Sequence, residues 1–106
     1  MDVAVVMKYK KGKNRILELI HNNLSYEFIE KLVAFLESSY DARVLKKYDG
    51  PATRRWFVEI EGKKYTVDYF DDAGIEIFTE DGTGNVLLEK LAADLKARLS
   101  PGEDDS

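Results

Sequence analysis

Two segments of the chain repeat apolar residues at the three- and four-residue steps of an amphipathic helix. The first contains Phe28, Ile29, Leu32, Val33, Leu36 and Tyr40. The second contains Leu87, Leu88, Leu91, Leu95 and Leu99. A stripe with this period places one side of a helix against a core. We predict one helix over 25–39 with Ser25 as its N-cap, and a last helix that begins after Gly84 and ends before Pro101.

Between these helices the apolar positions repeat every second residue, as they do in half-buried strands. The alternation occurs in three runs, with apolar side chains at Trp56, Val58 and Ile60, at Tyr65, Val67 and Tyr69, and at Ile75 and Ile77. This period predicts three strands. A further strand is expected over 43–48 and another over 3–7. Residues 15–21 fit either a short helix or a returning hairpin strand, and we favour the strand.

Turn residues between the strands predict how they pair. A two-residue loop at 62–63 and a three-residue loop at 72–74, which ends on a left-handed glycine, keep the large apolar residues on one face. A shift by one residue would turn every side chain to the other face. With these loops, Phe57 and Phe78 fall opposite Asp68 on the strand between them.

The elements together predict an α+β fold. A chain of 106 residues is long enough to bury one core without a metal or a disulfide. We expect a single domain over 1–100, built from an antiparallel meander of four or more strands with two helices packed on one face. An N-terminal hairpin would extend the meander and give the order (ββ)αββββα. The acidic segment 101–106 is expected to be a disordered tail.

Composition narrows the chemistry. The chain has no cysteine and one histidine, His21, so disulfides, thiolate zinc sites and two-histidine metal sites within one subunit are excluded. No apolar run is long enough for a membrane span, and we expect a cytoplasmic protein. The net charge of −4 is divided unevenly: residues 1–64 carry 13 basic and 9 acidic side chains, and residues 65–106 carry 3 and 11. An acidic second half favours basic partners.

One segment has the alternating oxygen side chains of a calcium loop, at Asp81, Thr83 and Asn85. An EF-hand loop that began at Asp81 would need glycine at its sixth position and glutamate at its twelfth. The chain has Val86 and Ala92 there. The match therefore fails, and a turn that leads into the last helix is the better interpretation.

Paired carboxylates are the remaining candidates for acid–base chemistry. Asp68 with Glu76, and Asp71 with Asp72, are predicted to lie on the outer face of the sheet or in a hairpin loop. Catalysis would require a pKa raised by burial or by a close like charge, and solvated carboxylates have neither. We predict no enzymatic activity, no catalytic residue, no cofactor and no metal site.

The sheet face opposite the helices carries the most informative residues. A sheet with helices on one side should be polar on the other, yet this face is predicted to carry three phenylalanines within a charged rim. Aromatic anchors with a charged rim are typical of a protein contact. The predicted protein-binding residues are Arg55, Phe57, Asp68, Phe70, Glu76 and Phe78. The alternative is that residues 3–20 fold across this face and bury the aromatic side chains.

The predicted function is non-enzymatic binding of a protein partner through this face and the acidic hairpin beside it. The acidic charge favours a basic partner, and a homodimer through the same patch is an alternative. A second alternative is single-stranded nucleic-acid binding by Arg54, Arg55 and neighbouring aromatic residues. A third is an inhibitor of a basic protein, similar in size and charge to toxin-immunity proteins and secretion chaperones.

Overall fold

The computed structural model describes residues 4–9, 15–20, 26–70, 74–79 and 83–99. Two helices and six strands follow one another along the chain. They are β1 (Ala4–Tyr9), β2 (Arg15–Ile20), α1 (Phe28–Tyr40), β3 (Arg43–Asp49), β4 (Thr53–Ile60), β5 (Lys63–Phe70), β6 (Gly74–Phe78) and α2 (Asn85–Leu99). The predicted α+β order is thus confirmed, and residues 15–20 form a strand.

The six strands form one antiparallel sheet in the order β1-β2-β6-β5-β4-β3. The predicted meander is the β3–β6 half. The hairpin of β1 and β2 continues the sheet, because β2 pairs with β6, with Leu17 opposite Ile77. The alternative in which residues 3–20 cross the outer face is therefore wrong for the described parts of that segment. Pairing at a sheet edge satisfies the backbone groups of β6, which crossing the face would not do.

The core lies between the helices and one face of the sheet. It contains the apolar stripes of both helices together with the inward-facing residues of five strands. The side chains of Tyr65 and Tyr69 are the largest that are fully buried. Leu88, Leu91 and Leu95 bury the stripe of α2 as predicted. In the described part of the chain, no helix is long and apolar enough to cross a membrane.

The hairpin between β4 and β5 turns one residue earlier than predicted. Its loop is Glu61-Gly62, and both residues have positive φ, 54° and 80°. Two positive φ values in a two-residue loop are those of a type I′ turn. Ile60 consequently pairs with Lys63. The whole register is shifted by two residues from the prediction, which leaves every side chain on its predicted face.

The next hairpin is shifted by the same amount. Phe70 pairs with Gly74, so the loop is 71–73 and lies outside the described residues. Gly74 has the positive φ that was predicted, 105°, but it is the first residue of β6. Because both pairs are shifted, Phe57 and Phe78 lie opposite Thr66. Their predicted position opposite Asp68 was wrong.

Helix α1 starts later than predicted. Its N-cap is Glu27, which makes no side-chain capping hydrogen bond, and the helix begins at Phe28. Ser25, the predicted N-cap, lies outside the described residues, as do His21 and the predicted tail 101–106. The helix ends at Tyr40, its C-cap Asp41 is left-handed, and the Ala42 N–H donates to the Leu36 carbonyl at 3.1 Å. This bond stabilises the turn into β3.

Candidate binding face

We define the outer face as the side chains on the side of the sheet opposite the helices. The strand register arranges them in four rows that run across the strands. The row nearest the β4–β5 turn is Arg43, Glu59 and Lys64, and the other three are numbered from there. The first row is Lys46, Phe57, Thr66, Phe78 and Ile16. The second row is Tyr48, Arg55, Asp68, Glu76, Glu18 and Val6. The third row is Thr53, Phe70, Gly74 and Ile20.

All six residues predicted to bind a partner lie on the outer face. Phe57 and Phe78 belong to the first row, and Phe70 belongs to the third. The three phenylalanines are each partly buried by their neighbours on the same face. Between Phe57 and Phe78 the side chain of Thr66 is almost fully covered. The first row is therefore uneven, because the rings of Phe57 and Phe78 project on either side of the shorter Thr66 side chain.

The second row contains a bidentate ion pair. Arg55 donates from Nε and from one terminal nitrogen to the two carboxylate oxygens of Asp68, each at 2.7 Å. The Asp68 side chain is 4% exposed, whereas that of Arg55 is 54% exposed. On its other side Asp68 lies directly opposite Glu76, a like charge. The Arg55 guanidinium thus offsets the repulsion between the carboxylates of Asp68 and Glu76.

Basic and aromatic side chains meet at the β3–β4 end of the outer face. The rings of Tyr48 and Phe57 pack edge to face with centroids 6.0 Å apart. The Nζ of Lys64 lies 4.9 Å from the Phe57 centroid, and the Nζ of Lys46 lies 5.5 Å from that of Tyr48. These are cation–π distances. The outer face is therefore basic where Lys46 and Lys64 surround these rings, and acidic along the second row at Asp68, Glu76 and Glu18.

Sequence reasoning missed four apolar residues of this face, namely Tyr48, Ile16, Ile20 and Val6. Tyr48 is 52% exposed, Ile20 41% and Val6 36%. The pattern that could have revealed two of them is the stretch 16–20, which is apolar at four of five positions. Apolar and polar residues alternate along a strand with one solvated face, whereas a strand that is apolar on both faces is covered on both.

Arg54 and Arg55 lie on opposite faces of the sheet, so the structure does not bring the predicted pair together. Arg54 is buried on the helix side, where its Nε donates to Asp49 at 2.8 Å and its Nη1 donates to the Tyr26 carbonyl at 2.9 Å. The Trp56 indole N–H also donates to Asp49, at 2.8 Å. The hydrogen bond from Arg54 has the larger effect and that from Trp56 the next, and together they hold the pKa of the Asp49 carboxyl below its usual range. The network joins β3, β4 and the start of α1.

Among the residues that the structure describes, no three histidine or carboxylate side chains are arranged to hold a metal ion. Comparisons with protein-family models, with curated proteins and with solved structures found no significant match.

Proposed function

We propose that this protein is a non-enzymatic binding module that holds another polypeptide chain on its outer face. One observation carries the proposal. Within the described residues, both helices bury their apolar stripes on the inward side of the sheet, while Tyr48, Ile20 and Val6 remain 36% to 52% exposed on the outer side. Tyr48 lies on one edge strand and Val6 on the other, with the three phenylalanines between them, and apolar side chains spread across one sheet face in this way are typical of an interaction surface.

The composition of the face supports a protein partner. Aromatic and arginine side chains contribute most to binding energy when a partner excludes water from them, and Phe57, Tyr48 and Arg55 stand side by side at one end of the face. Both signs of charge are present on the face. An immunity-like or chaperone-like inhibitor would bind a basic partner. That partner would have to contact the acidic end of the face, at Glu18 and Glu76, and avoid the basic β3–β4 end.

A photo-crosslinking amino acid tests this proposal. In the cells that produce the protein, p-benzoylphenylalanine at Tyr48 should crosslink to a polypeptide, because the side chain is exposed beside the Phe57 ring. The same amino acid at Val86 is the control, because Val86 is 83% exposed on α2. Adding Phe57→Glu should abolish the Tyr48 product. Equal crosslinking at both sites, or none at Tyr48, would contradict the proposal.

One observation favours nucleic-acid binding as a second candidate. The β3–β4 end combines Lys46 and Lys64 with the Tyr48 and Phe57 rings, as platforms for single-stranded nucleic acid do. The acidic second row opposes it. Retention of a single-stranded oligonucleotide that falls steeply with salt, and that Lys46→Gln with Lys64→Gln weakens, would support it. Absence of binding at low salt would exclude it.

A further inference from the structure

We infer that the groove between α1 and α2 binds a small carboxylic acid with an apolar body, of the class of a short fatty acid. The groove lies in the helix layer, whereas the outer face lies on the other side of the sheet. The inference therefore goes beyond the proposed function and concerns a separate site. The groove has a volume of about 200 Å³. Its lining residues are Phe28, Lys31, Leu32, Phe35, Leu95 and Arg98.

The apolar part of the groove comes from residues on both helices. Phe28, Leu32 and Phe35 follow one another at steps of four and three, so they lie along one side of α1. Leu95 completes this lining from α2. Phe28, Leu32 and Leu95 are buried, whereas Phe35 is only partly buried. The groove thus has apolar surface that a ligand would remove from water on binding.

Two contacts connect the helices at the groove. The Tyr40 hydroxyl donates to Asp94 at 2.9 Å, and the guanidinium carbon of Arg98 lies 4.7 Å from the centroid of the Phe35 ring. The second is a cation–π distance. Arg98 Nε also donates to Asp94, at 3.1 Å. The Arg98 side chain is therefore held at the groove before a ligand arrives, which lowers the entropy cost of binding one.

The charged side chains that line the groove have one sign. They are Lys31 on α1 and Arg98 on α2, and both are exposed. Asp94 engages only Nε of Arg98, and within the described residues the terminal nitrogens of Arg98 donate to no other group. Lys31 makes no ion pair with a described residue. The carboxylate of a ligand in the groove can therefore accept hydrogen bonds from both cations.

The size of the groove limits the ligand. A volume of about 200 Å³ equals that of roughly seven water molecules in the liquid. It holds a short acyl chain or one aromatic ring, and it is below the roughly 300–1,000 Å³ of sites for drug-sized ligands. A protein interface of standard size uses about 20–30 residues on each side, whereas six residues line this groove. A small molecule is therefore the occupant that fits.

Two other classes of small ligand fit less well. A neutral apolar molecule would cover the lining but make no use of the two cations. A phosphate would bind the cations, but its remaining oxygens would face apolar atoms and lose their hydration without new hydrogen bonds. A carboxylate on an apolar body matches both parts of the groove, because its charge lies at the cations while its body covers Leu32 and Phe35.

Calorimetric titration of the full chain with sodium octanoate, below its micelle concentration, tests the inference. Octanoate should bind at a single site, and 1-octanol, which lacks the charge, should bind about tenfold more weakly. Lys31→Gln and Arg98→Gln should each weaken octanoate binding about threefold, and the double variant about tenfold, since each removes one exposed charge contact. Lys96→Gln removes an exposed charge from α2 outside the groove and should leave the binding unchanged.

Amide shifts in an NMR titration locate the ligand. Octanoate should shift the amides of Phe35 and Leu95 and leave those of Phe57 and Asp68, on the outer face, in place. This separates the groove from nonspecific adsorption of an amphiphile to exposed apolar side chains. The same spectra show whether each variant is folded.

The contrary outcomes are distinct. Absence of saturable octanoate binding, or amide shifts confined to the outer face, would overturn the inference. Equal binding of 1-octanol, or unchanged binding in the double charge variant, would show that the cations do not select the ligand and would overturn it too. Tighter binding of N-acetylphenylalanine than of octanoate would identify the C-terminus of a peptide as the occupant and overturn the small-molecule site.

The variant Phe57→Glu separates this site from the proposed function. It alters the outer face only, so it should abolish the Tyr48 crosslink and leave octanoate binding unchanged. A chain that crosslinks at Tyr48 and does not bind octanoate keeps the proposed function and overturns the inference. A chain that binds octanoate and gives no crosslink does the reverse.

Discussion

The Arg55 guanidinium binds both carboxylate oxygens of Asp68 on a sheet face that no helix in the described residues covers. The two partners are unequal, because Asp68 is nearly buried and Arg55 is half exposed. Their removal should therefore have unequal effects. A buried carboxylate that loses its partner keeps its desolvation cost, whereas an exposed guanidinium regains water.

We expect Arg55→Ala to lower the free energy of unfolding by about 1–3 kcal/mol, because it leaves Asp68 opposite Glu76 without compensation. The double variant Arg55→Ala with Asp68→Asn should be more stable than Arg55→Ala alone, since the like-charge contact is gone. Urea unfolding measures both. The exposed pair of Arg43 and Glu59 is the control, and Arg43→Ala should cost less than about 1 kcal/mol. Equal losses at the two arginines would contradict the argument.

The Asp49 network predicts how stability responds to acid. Hydrogen bonds from Arg54 and Trp56 lower the pKa of Asp49 in the folded state, and its value in an unfolded chain is about 3.9. The unfolded chain therefore takes up the proton first, so this contribution is present above about pH 4 and is lost as pH falls through the folded pKa. Asp49→Asn should reduce the loss of stability below about pH 4. Denaturant unfolding at several acidic pH values, followed by Trp56 fluorescence, measures the difference. Parallel acid profiles of variant and wild type would contradict it.

The side of the sheet on which each residue lies could be predicted, but the pairing within the meander could not. Alternation with a period of two is insensitive to a shift by two residues, so loops at 61–62 and at 62–63 put the same side chains inward. Glycine suits either loop. The observed loop requires the backbone of Glu61 to adopt the left-handed region, which non-glycine residues rarely do.

The candidate face was predicted in part. Phe57, Phe70 and Phe78 are on it, as the alternation required. The Arg55–Asp68 pair was not foreseen, since it depends on the register. The position of the β1–β2 hairpin was also undetermined, because local sequence does not show whether an apolar strand pairs at an edge or packs across a face. The separation of Arg54 from Arg55, by contrast, follows from alternation alone.

Tyr40 predicts a loss of stability in alkali. Its hydroxyl donates to Asp94 at 2.9 Å, and burial, followed by this bond and the Asp94 charge, raises the pKa of Tyr40 to about 12. Because an unfolded tyrosine has a pKa near 10, the contribution is complete below about pH 10 and disappears as pH rises toward 12. Tyr40→Phe should cost about 1 kcal/mol at neutral pH and should lessen the alkaline loss.

The measurement for Tyr40 is urea unfolding from neutral to alkaline pH, combined with a tyrosinate absorbance titration of the folded protein. The absorbance change near pH 12 should be smaller in Tyr40→Phe by the contribution of one tyrosine. Asp94→Asn should shift the ionisation of Tyr40 toward lower pH, because it removes the negative charge beside the phenol. An unchanged titration in Asp94→Asn would contradict the assigned cause.

Gly84 predicts a large effect of a single methyl group. It precedes α2, and its carbonyl accepts the first hydrogen bond of that helix, from the Leu88 N–H. A Cβ there would lie 2.5 Å from Cε2 of Tyr65 and 2.6 Å from Cγ2 of Thr79, closer than such atoms approach. Gly84→Ala should therefore push α2 away from the sheet and lower the free energy of unfolding by about 1–3 kcal/mol. Gly50→Ala is the control, since its Cβ would meet nothing nearer than 3.4 Å.

Thr79→Ser separates the steric cause of the Gly84 effect from a change in helix propensity. Serine removes the Thr79 methyl group and keeps the hydroxyl oxygen that accepts the Gly84 N–H. Gly84→Ala combined with Thr79→Ser should recover part of the stability lost by Gly84→Ala alone, because one of the two contacts is relieved. Thermal unfolding of the single and double variants measures the coupling. If the two effects add with no recovery, the close approach between the start of α2 and the end of the meander does not determine where this helix sits.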